Sequence, residues 1–373
     1  MLKLTALIAS LCFLVFSIRH QAPQQPTTEK SKIQVALLLD TSSSMDGLIE
    51  QAKSQIWKMV NELATSKKDG QAPDIEIALY EYGNSGLKKG DGYIRQISKL
   101  TTDLDLVSEK LFELRTGGGE EYCGYVIKNA TADLEWSKSN DDLKIIVIAG
   151  NEPFTQGPVD YKVSCKTAIA NGIMINTIHC GDYDDGVDQF WKDGADLTDG
   201  KYMNISTNDR VVHVPTPFDD KIVELNQKLN DTYISYGTEG KVAAARQKKQ
   251  DKNANIYGAA NARTRASFKA KDNYSNAQWD LVDASAENED VLEEVNEEAL
   301  PEEMKNMETA QRKAYVEKKR TERENIKKEI RAYDEKAQKF VAEKRKESAE
   351  TQTLDNVLIE AVKRQAKGKQ FKF

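Results

Sequence analysis

Between residues 32 and 235, apolar runs of strand length alternate with stretches whose apolar positions recur every three or four residues. The first run, "IQVALLLD" at 33–40, predicts a strand. Residues 48–64 follow as a helix with Ile49, Ile56, Met59 and Val60 on one face. Two further strands are predicted at 74–83 and 92–100. The turn-rich link "NSGLKKGDG" between them is short enough for a hairpin, so one antiparallel pair is expected. A helix near 104–114 leads into "RTGGGEEYCGYVI", a glycine loop that opens another helix reaching about residue 136. "LKIIVIAG" at 143–150 is apolar without alternation, as in a strand buried on both faces. A helix at 159–170 stops at Asn171-Gly172, a common helix end. "IMINTIHCG" is the fifth strand, 187–197 a helix, "GKYMNI" a short sixth strand, and 219–229 a last helix. Strands alternating with helices imply an α/β domain with a mostly parallel six-stranded sheet over 32–235.

Beyond Gly240 the pattern changes. Residues 240–300 combine an Ala/Lys/Asn-rich segment, poor in large apolar groups, with an acidic linker; "YSNAQWDLVDA" is an apolar island that would dock on the first domain. Residues 301–373 predict long charged helices ending in a basic tail. Ile326, Ile330, Tyr333, Ala337 and Phe340 repeat at four-three spacing for about two heptads, short of the three or four that define a coiled coil. Self-association through this seam and one-sided packing are both open. At the other end, one Lys precedes the apolar run 4–18, and a polar linker occupies 23–31. Residues 1–22 therefore predict a secretory signal, or an uncleaved signal anchor that touches the membrane. Export to the periplasm or the extracellular space is expected either way.

Composition narrows the functional classes. A net charge of −7 gives no reason to expect nucleic-acid binding. Cys123, Cys165 and Cys180 show no zinc-site spacing and permit one disulfide at most; buried free thiols are the simpler reading. His179 and Cys180 are adjacent on a strand and point to opposite sides. No Ser/His/Asp order, HExxH or phosphate-cradling loop is present, so no catalytic residue is expected and the chain is read as a non-enzyme.

Candidate chemistry sits where the first strand ends, in "DTSSS". Asp40, Ser42 and Ser44 alternate, so their oxygens can converge on one side of a tight loop. Hard oxygen ligands suit Mg²⁺ first, with Ca²⁺ or Mn²⁺ as alternatives. A serine capping the next helix is the competing explanation.

A strand ending in D-x-S-x-S within this order of elements resembles a von Willebrand factor A domain, over about residues 32–235. The resemblance implies a doubly wound sheet with one antiparallel edge strand and a metal-ion-dependent adhesion site. It implies a non-enzymatic binding protein whose partner offers an acidic side chain to the metal. Asp40, Ser42 and Ser44 match the first part of that site. "TGGGEEYCGYVI" stands at its second loop, with Glu120 or Glu121 where a threonine is usual. The fourth strand ends Ala149-Gly150-Asn151-Glu152 where an aspartate is usual, so Asn151 or Glu152 would help, directly or through a water. A metal-free structural or assembly module acting through its C-terminal helices is the alternative.

Overall fold

The computed structural model describes residues 30–205, 214–347 and 354–373. Its six strands are β1 (Lys32–Asp40), β2 (Asp74–Tyr82), β3 (Ile94–Thr101), β4 (Leu143–Gly150), β5 (Met174–Cys180) and β6 (Tyr202–Ile205). They form one sheet in the order β3-β2-β1-β4-β5-β6, parallel except for β2–β3. β1 and β4 are central, which is why both read as unbroken apolar runs: every β4 position is buried, and every β1 position after Lys32. β3 lies at an edge, and its burial is correspondingly patchy.

Helices α1 (Asp46–Leu63), α2 (Leu104–Glu113), α3 (Cys123–Asp133), α4 (Tyr161–Ala170), α5 (Tyr183–Asp188), α6 (Trp191–Asp196) and α7 (Asp219–Asn230) accompany the sheet. Alternate strand residues face opposite layers. Val35, Leu37, Ile77 and Val147 pack with Leu48, Trp57 and Val60 of α1 and Val107 of α2. Ala36, Leu38, Tyr80 and Ile148 pack with Val126 and Ile127 of α3, Cys165 of α4 and Trp191 of α6. The expected doubly wound architecture is the observed one. The helix expected over 187–197 is instead two short ones, because Phe190 between them adopts a left-handed backbone (φ 69°).

The cysteines follow from these layers. All three described thiols are free and buried. Cys123 and Cys165 belong to one face of the sheet and Cys180 to the other, so Cys165 and Cys180 are separated by the sheet itself.

The chain after α7 also folds onto the domain, as α8 (Gly240–Ile256), α9 (Ala259–Lys269), α10 (Leu281–Glu287), α11 (Val291–Glu294), α12 (Thr309–Glu347) and α13 (Leu354–Gly368). The Ala/Lys/Asn-rich stretch is thus two packed helices. Its docking is largely polar and leaves little trace in hydrophobic periodicity. Gln250 accepts from Ser108 Oγ (2.9 Å), and Arg246 reaches Asp103 and Glu109 (3.0 Å each). Buried Arg265 pairs with Asp105 (2.6 Å) and Asp251 (3.0 Å) while its guanidinium lies 4.1 Å from the Trp57 ring centroid. Phe268 and, from the apolar island, Tyr274 join the sheet-facing core, whereas the island's Leu281 and Val282 pack with Ile234 and with Leu292, Leu300, Met304 and Val316 of the C-terminal segments.

The α12 seam packs within its own chain. Ile326 and Ile330 meet Ile222, Leu225 and Leu229 of α7 and Ala266 of α9. Arg323, also on α12, is buried against Asp280 (2.7 Å), Asp283 (2.7 Å) and the Thr232 carbonyl (2.8 Å). Ile326, Ile330 and Arg323 are therefore engaged within the chain. α13 closes the structure: Val362 and Ala366 enter the sheet-facing core, and Gln365 exchanges two amide hydrogen bonds with Asn176 of β5 (3.0 and 2.9 Å).

The expectation of membrane contact and anchoring through the N-terminal segment is corrected. Among the described residues no helix is long and apolar enough to cross a membrane. Residues 1–22, on which the signal reading rests, lie outside the described residues.

Candidate functional site

The chain runs from β1 outward to β2 and β3, then crosses back to β4 and outward again to β5 and β6. The carboxyl ends of β1 and β4 therefore diverge into opposite connections, which opens a crevice there. Pairing of Leu39 with Ala149 places the end of β1 beside Gly150. Asp40 terminates β1 at this point and is fully buried.

Its two oxygens differ. Oδ1 accepts from the Ser42 amide (2.7 Å), whereas Oδ2 is buried and has no hydrogen-bond partner. Ser42, nearly buried, lies 3.1 Å from Ser44, oxygen to oxygen; the Ser44 hydroxyl donates to Asn151 Oδ1 (3.3 Å) from the loop after β4. Neither serine caps the following helix: the Ser43–Met45 turn and α1 begin without a side-chain cap. Thr41 points elsewhere, hydrogen-bonding Glu81 and the Tyr82 carbonyl.

The two candidate glutamates separate cleanly. Glu120 is exposed and accepts from the Tyr122 hydroxyl. Glu121 is buried and turns toward Asp40, with its amide held by Gln156 Oε1 (2.6 Å). Gly83, after β2, makes room for this approach: a Cβ there would stand 2.7 Å from Asp40 Oδ1 and 2.8 Å from Glu121 Cγ. Its positive φ of 78° independently favours glycine.

Burial, together with neighbouring carboxylates, shifts ionisation in this crevice. Burial, aided by the charge of Glu152, pushes Asp40 up to about 7, against the opposing pull of the Ser42 amide and hydroxyl. Burial and the charges of Asp40 and Glu152 push Glu121 up to about 8. Among the described residues, no group of three or more His, Cys, Asp and Glu is arranged to hold a metal. Glu152 therefore acts on the pair through its charge and does not complete a three-carboxylate cluster. What converges is two carboxylates, Asp40 and Glu121, with the hydroxyls of Ser42 and Ser44 and the amide oxygen of Asn151. That donor set fits a hard divalent cation, and the unpartnered Asp40 Oδ2 is the atom such an ion would satisfy.

The missing fourth-strand aspartate has a steric cause. A Cβ on Gly150 would stand 2.5 Å from the Tyr82 hydroxyl and 3.1 Å from Asp40 Oδ2. Tyr82, fully buried at the end of β2, donates to the Ala149 carbonyl (2.9 Å) and takes up that volume. Sequence reasoning passed over Tyr82, since it reads as one more aromatic of a strand. It also passed over Asn84, whose amide nitrogen donates to the Arg115 carbonyl (3.0 Å) and ties the β2 loop to the glycine loop. Only tertiary contact reveals either role.

The family model of the von Willebrand factor type A domain matches residues 34–228. The chain belongs to that family. Family members are characteristically non-enzymatic adhesion and assembly modules, in agreement with the expectation of no catalysis. Several solved structures are similar in fold. BatB, a conserved hypothetical protein of Bacteroides thetaiotaomicron, is 15% identical with a TM-score of 0.36, over 47% of this chain and 90% of that one. The von Willebrand factor domain of the type V pilus tip protein Mfa5 of Porphyromonas gingivalis is 13% identical with a TM-score of 0.34, over 48% and 90%. Proximal thread matrix protein 1 of the mussel byssus, solved with a zinc-occupied adhesion motif, is 10% identical with a TM-score of 0.35, over 48% and 43%. At these identities the likeness concerns the fold alone. No curated protein matches the chain.

Proposed function

We propose that this von Willebrand factor A protein is a non-catalytic binding module whose site, at the carboxyl ends of β1 and β4, holds a divalent cation, Mg²⁺ in the first instance. Asp40 and Glu121 would supply charge, Ser42 and Ser44 neutral oxygens, and Asn151 an amide oxygen; Glu152 would add to the negative field. The ion would supply an open position for an acidic side chain of a protein partner. Asp40 carries this reading: a fully buried carboxylate with one unpartnered oxygen, facing a second buried carboxylate, is costly unless a cation or a proton neutralises it. The chain's own residues prepare the place. Gly83 and Gly150 leave space, the Ser42 amide fixes the Asp40 carboxylate, and Tyr82 and Asn84 hold the surrounding loops.

The alternative, function carried by free C-terminal helices, has less support. Their buried arginines and apolar seam are engaged within the same chain.

Titration calorimetry of the full chain with Mg²⁺, Mn²⁺ and Ca²⁺ tests the site. Wild type should bind at one site and Asp40→Ala should not. Unchanged affinity in that variant, or no heat with any of the three ions in wild type, would remove the metal reading.

A further inference from the structure

The segment leaving β5 carries an exposed apolar stripe with an acidic border that the site described above does not use. Tyr183 and Val187 stand four residues apart on α5 and so share a face, and Phe190 follows at the turn into α6. They are 50%, 36% and 44% exposed. Phe190 holds the left-handed backbone that an aromatic residue seldom adopts. The result is a division between neighbours: Trp191 enters the core fully, while Phe190 stays at the surface 6.3 Å from the Tyr161 ring. Asp182, Asp184, Asp185 and Asp188 are all exposed around this stripe. Among the described residues none of these four carboxylates has a hydrogen-bond or ion-pair partner; the nearby Lys192 is paired with Asp196.

The stripe is also tied to the top of the sheet. Trp191 Nε1 donates to the Glu152 carbonyl (2.9 Å), and the Phe154 amide to the Gln189 carbonyl (2.9 Å). Large apolar side chains rimmed by unpaired charge of one sign favour a partner of opposite charge with its own apolar groups. An anionic lipid surface would be repelled by the four aspartates. Two copies facing each other through the same stripe would bring like charges together.

We propose that Tyr183, Val187 and Phe190, within their border of Asp182, Asp184, Asp185 and Asp188, form a docking surface for a cationic amphipathic segment of a partner protein. This surface needs no divalent ion, so it stands or falls separately from the metal site.

The test uses the full chain in EDTA and a fluorescein-labelled helical peptide of Leu and Lys with one Trp, beside its counterpart with Glu in place of Lys. Fluorescence anisotropy should show binding of the Lys peptide and none of the Glu peptide. Phe190→Gly suits the left-handed backbone and so preserves the fold while deleting the ring; it should weaken binding about tenfold, as loss of an aromatic anchor does. Asp184→Asn/Asp188→Asn should weaken binding and flatten its dependence on salt. Glu297→Gln/Glu298→Gln removes equal charge from the exposed turn before α12 and should change little. Wild-type affinity in Phe190→Gly, or equal losses in the two charge variants, would leave only nonspecific attraction and overturn the proposal. A dimer by analytical ultracentrifugation that Phe190→Gly abolishes would assign the stripe to a second copy and overturn it too.

Discussion

Replacing Asp40 by Asn should make the ion-free protein more stable at pH 8 and leave it nearly unchanged in acid. The ordinary carboxyl value of 3.8 rises to about 7 for Asp40 in the folded chain, chiefly through burial. The folded state therefore holds the Asp40 proton more tightly than the unfolded state does. Stability from this group is fully present below about pH 4, declines as pH rises toward about 7, and stays low above that. At 1.36 kcal/mol per pH unit, the span sets a ceiling of about 4 kcal/mol. Relaxation of the loops and water entry reduce it, so an advantage of about 2–3 kcal/mol for Asp40→Asn at pH 8 is expected. Asparagine keeps the oxygen that accepts from the Ser42 amide, and it puts a neutral group in place of the unpartnered Oδ2. The assay is urea denaturation of both proteins in EDTA at pH 5, 6, 7 and 8, read as the difference between them. Mg²⁺ at a hundred times its Kd should then restore about 2.7 kcal/mol to wild type and nothing to the variant. A variant less stable than wild type at pH 8 in EDTA, or a difference that does not grow with pH, would refute the argument that burial destabilises the Asp40 charge.

Two other changes probe the surroundings. Gly150→Asp, which restores the family's usual carboxylate, should destabilise by about 1–3 kcal/mol through overpacking against Tyr82, and Tyr82→Phe should recover part of that cost; additive losses in a double-mutant cycle by urea denaturation would show that the two positions do not compete for space. Arg323→Ala should cost about 3–5 kcal/mol because Asp280 would be left buried and unpaired, whereas a loss below about 1 kcal/mol on the same assay would mean that the ion pair is solvated in solution.

Much of the architecture could be read from the chain because its cause is local. A strand covered on both faces must be apolar throughout, and a helix covered on one side must repeat every three or four residues. β1, β4 and α1 meet those conditions, and their positions were evident within a few residues. D-x-S-x-S was legible for the same reason, since alternate residues of a short loop point one way. Other features depend on which distant segments meet. Glu120 and Glu121 are chemically alike in sequence; packing alone turns one to solvent and the other toward Asp40. Gly150 read as a missing ligand, yet its absent side chain is what admits Tyr82, which reaches over from β2 on the far side of β1. The split of 187–197 turned on one backbone angle at Phe190, which hydrophobic periodicity does not encode. The docking of α8 and α9 escaped the pattern because buried arginines and amides, which count as polar in any periodicity, make much of the contact; the α12 seam was legible, but not which helices it meets. Sequence alone determined the layers and the loop where oxygens gather. Tertiary structure decided which oxygens face one another, because burial and charge act through space and not along the chain.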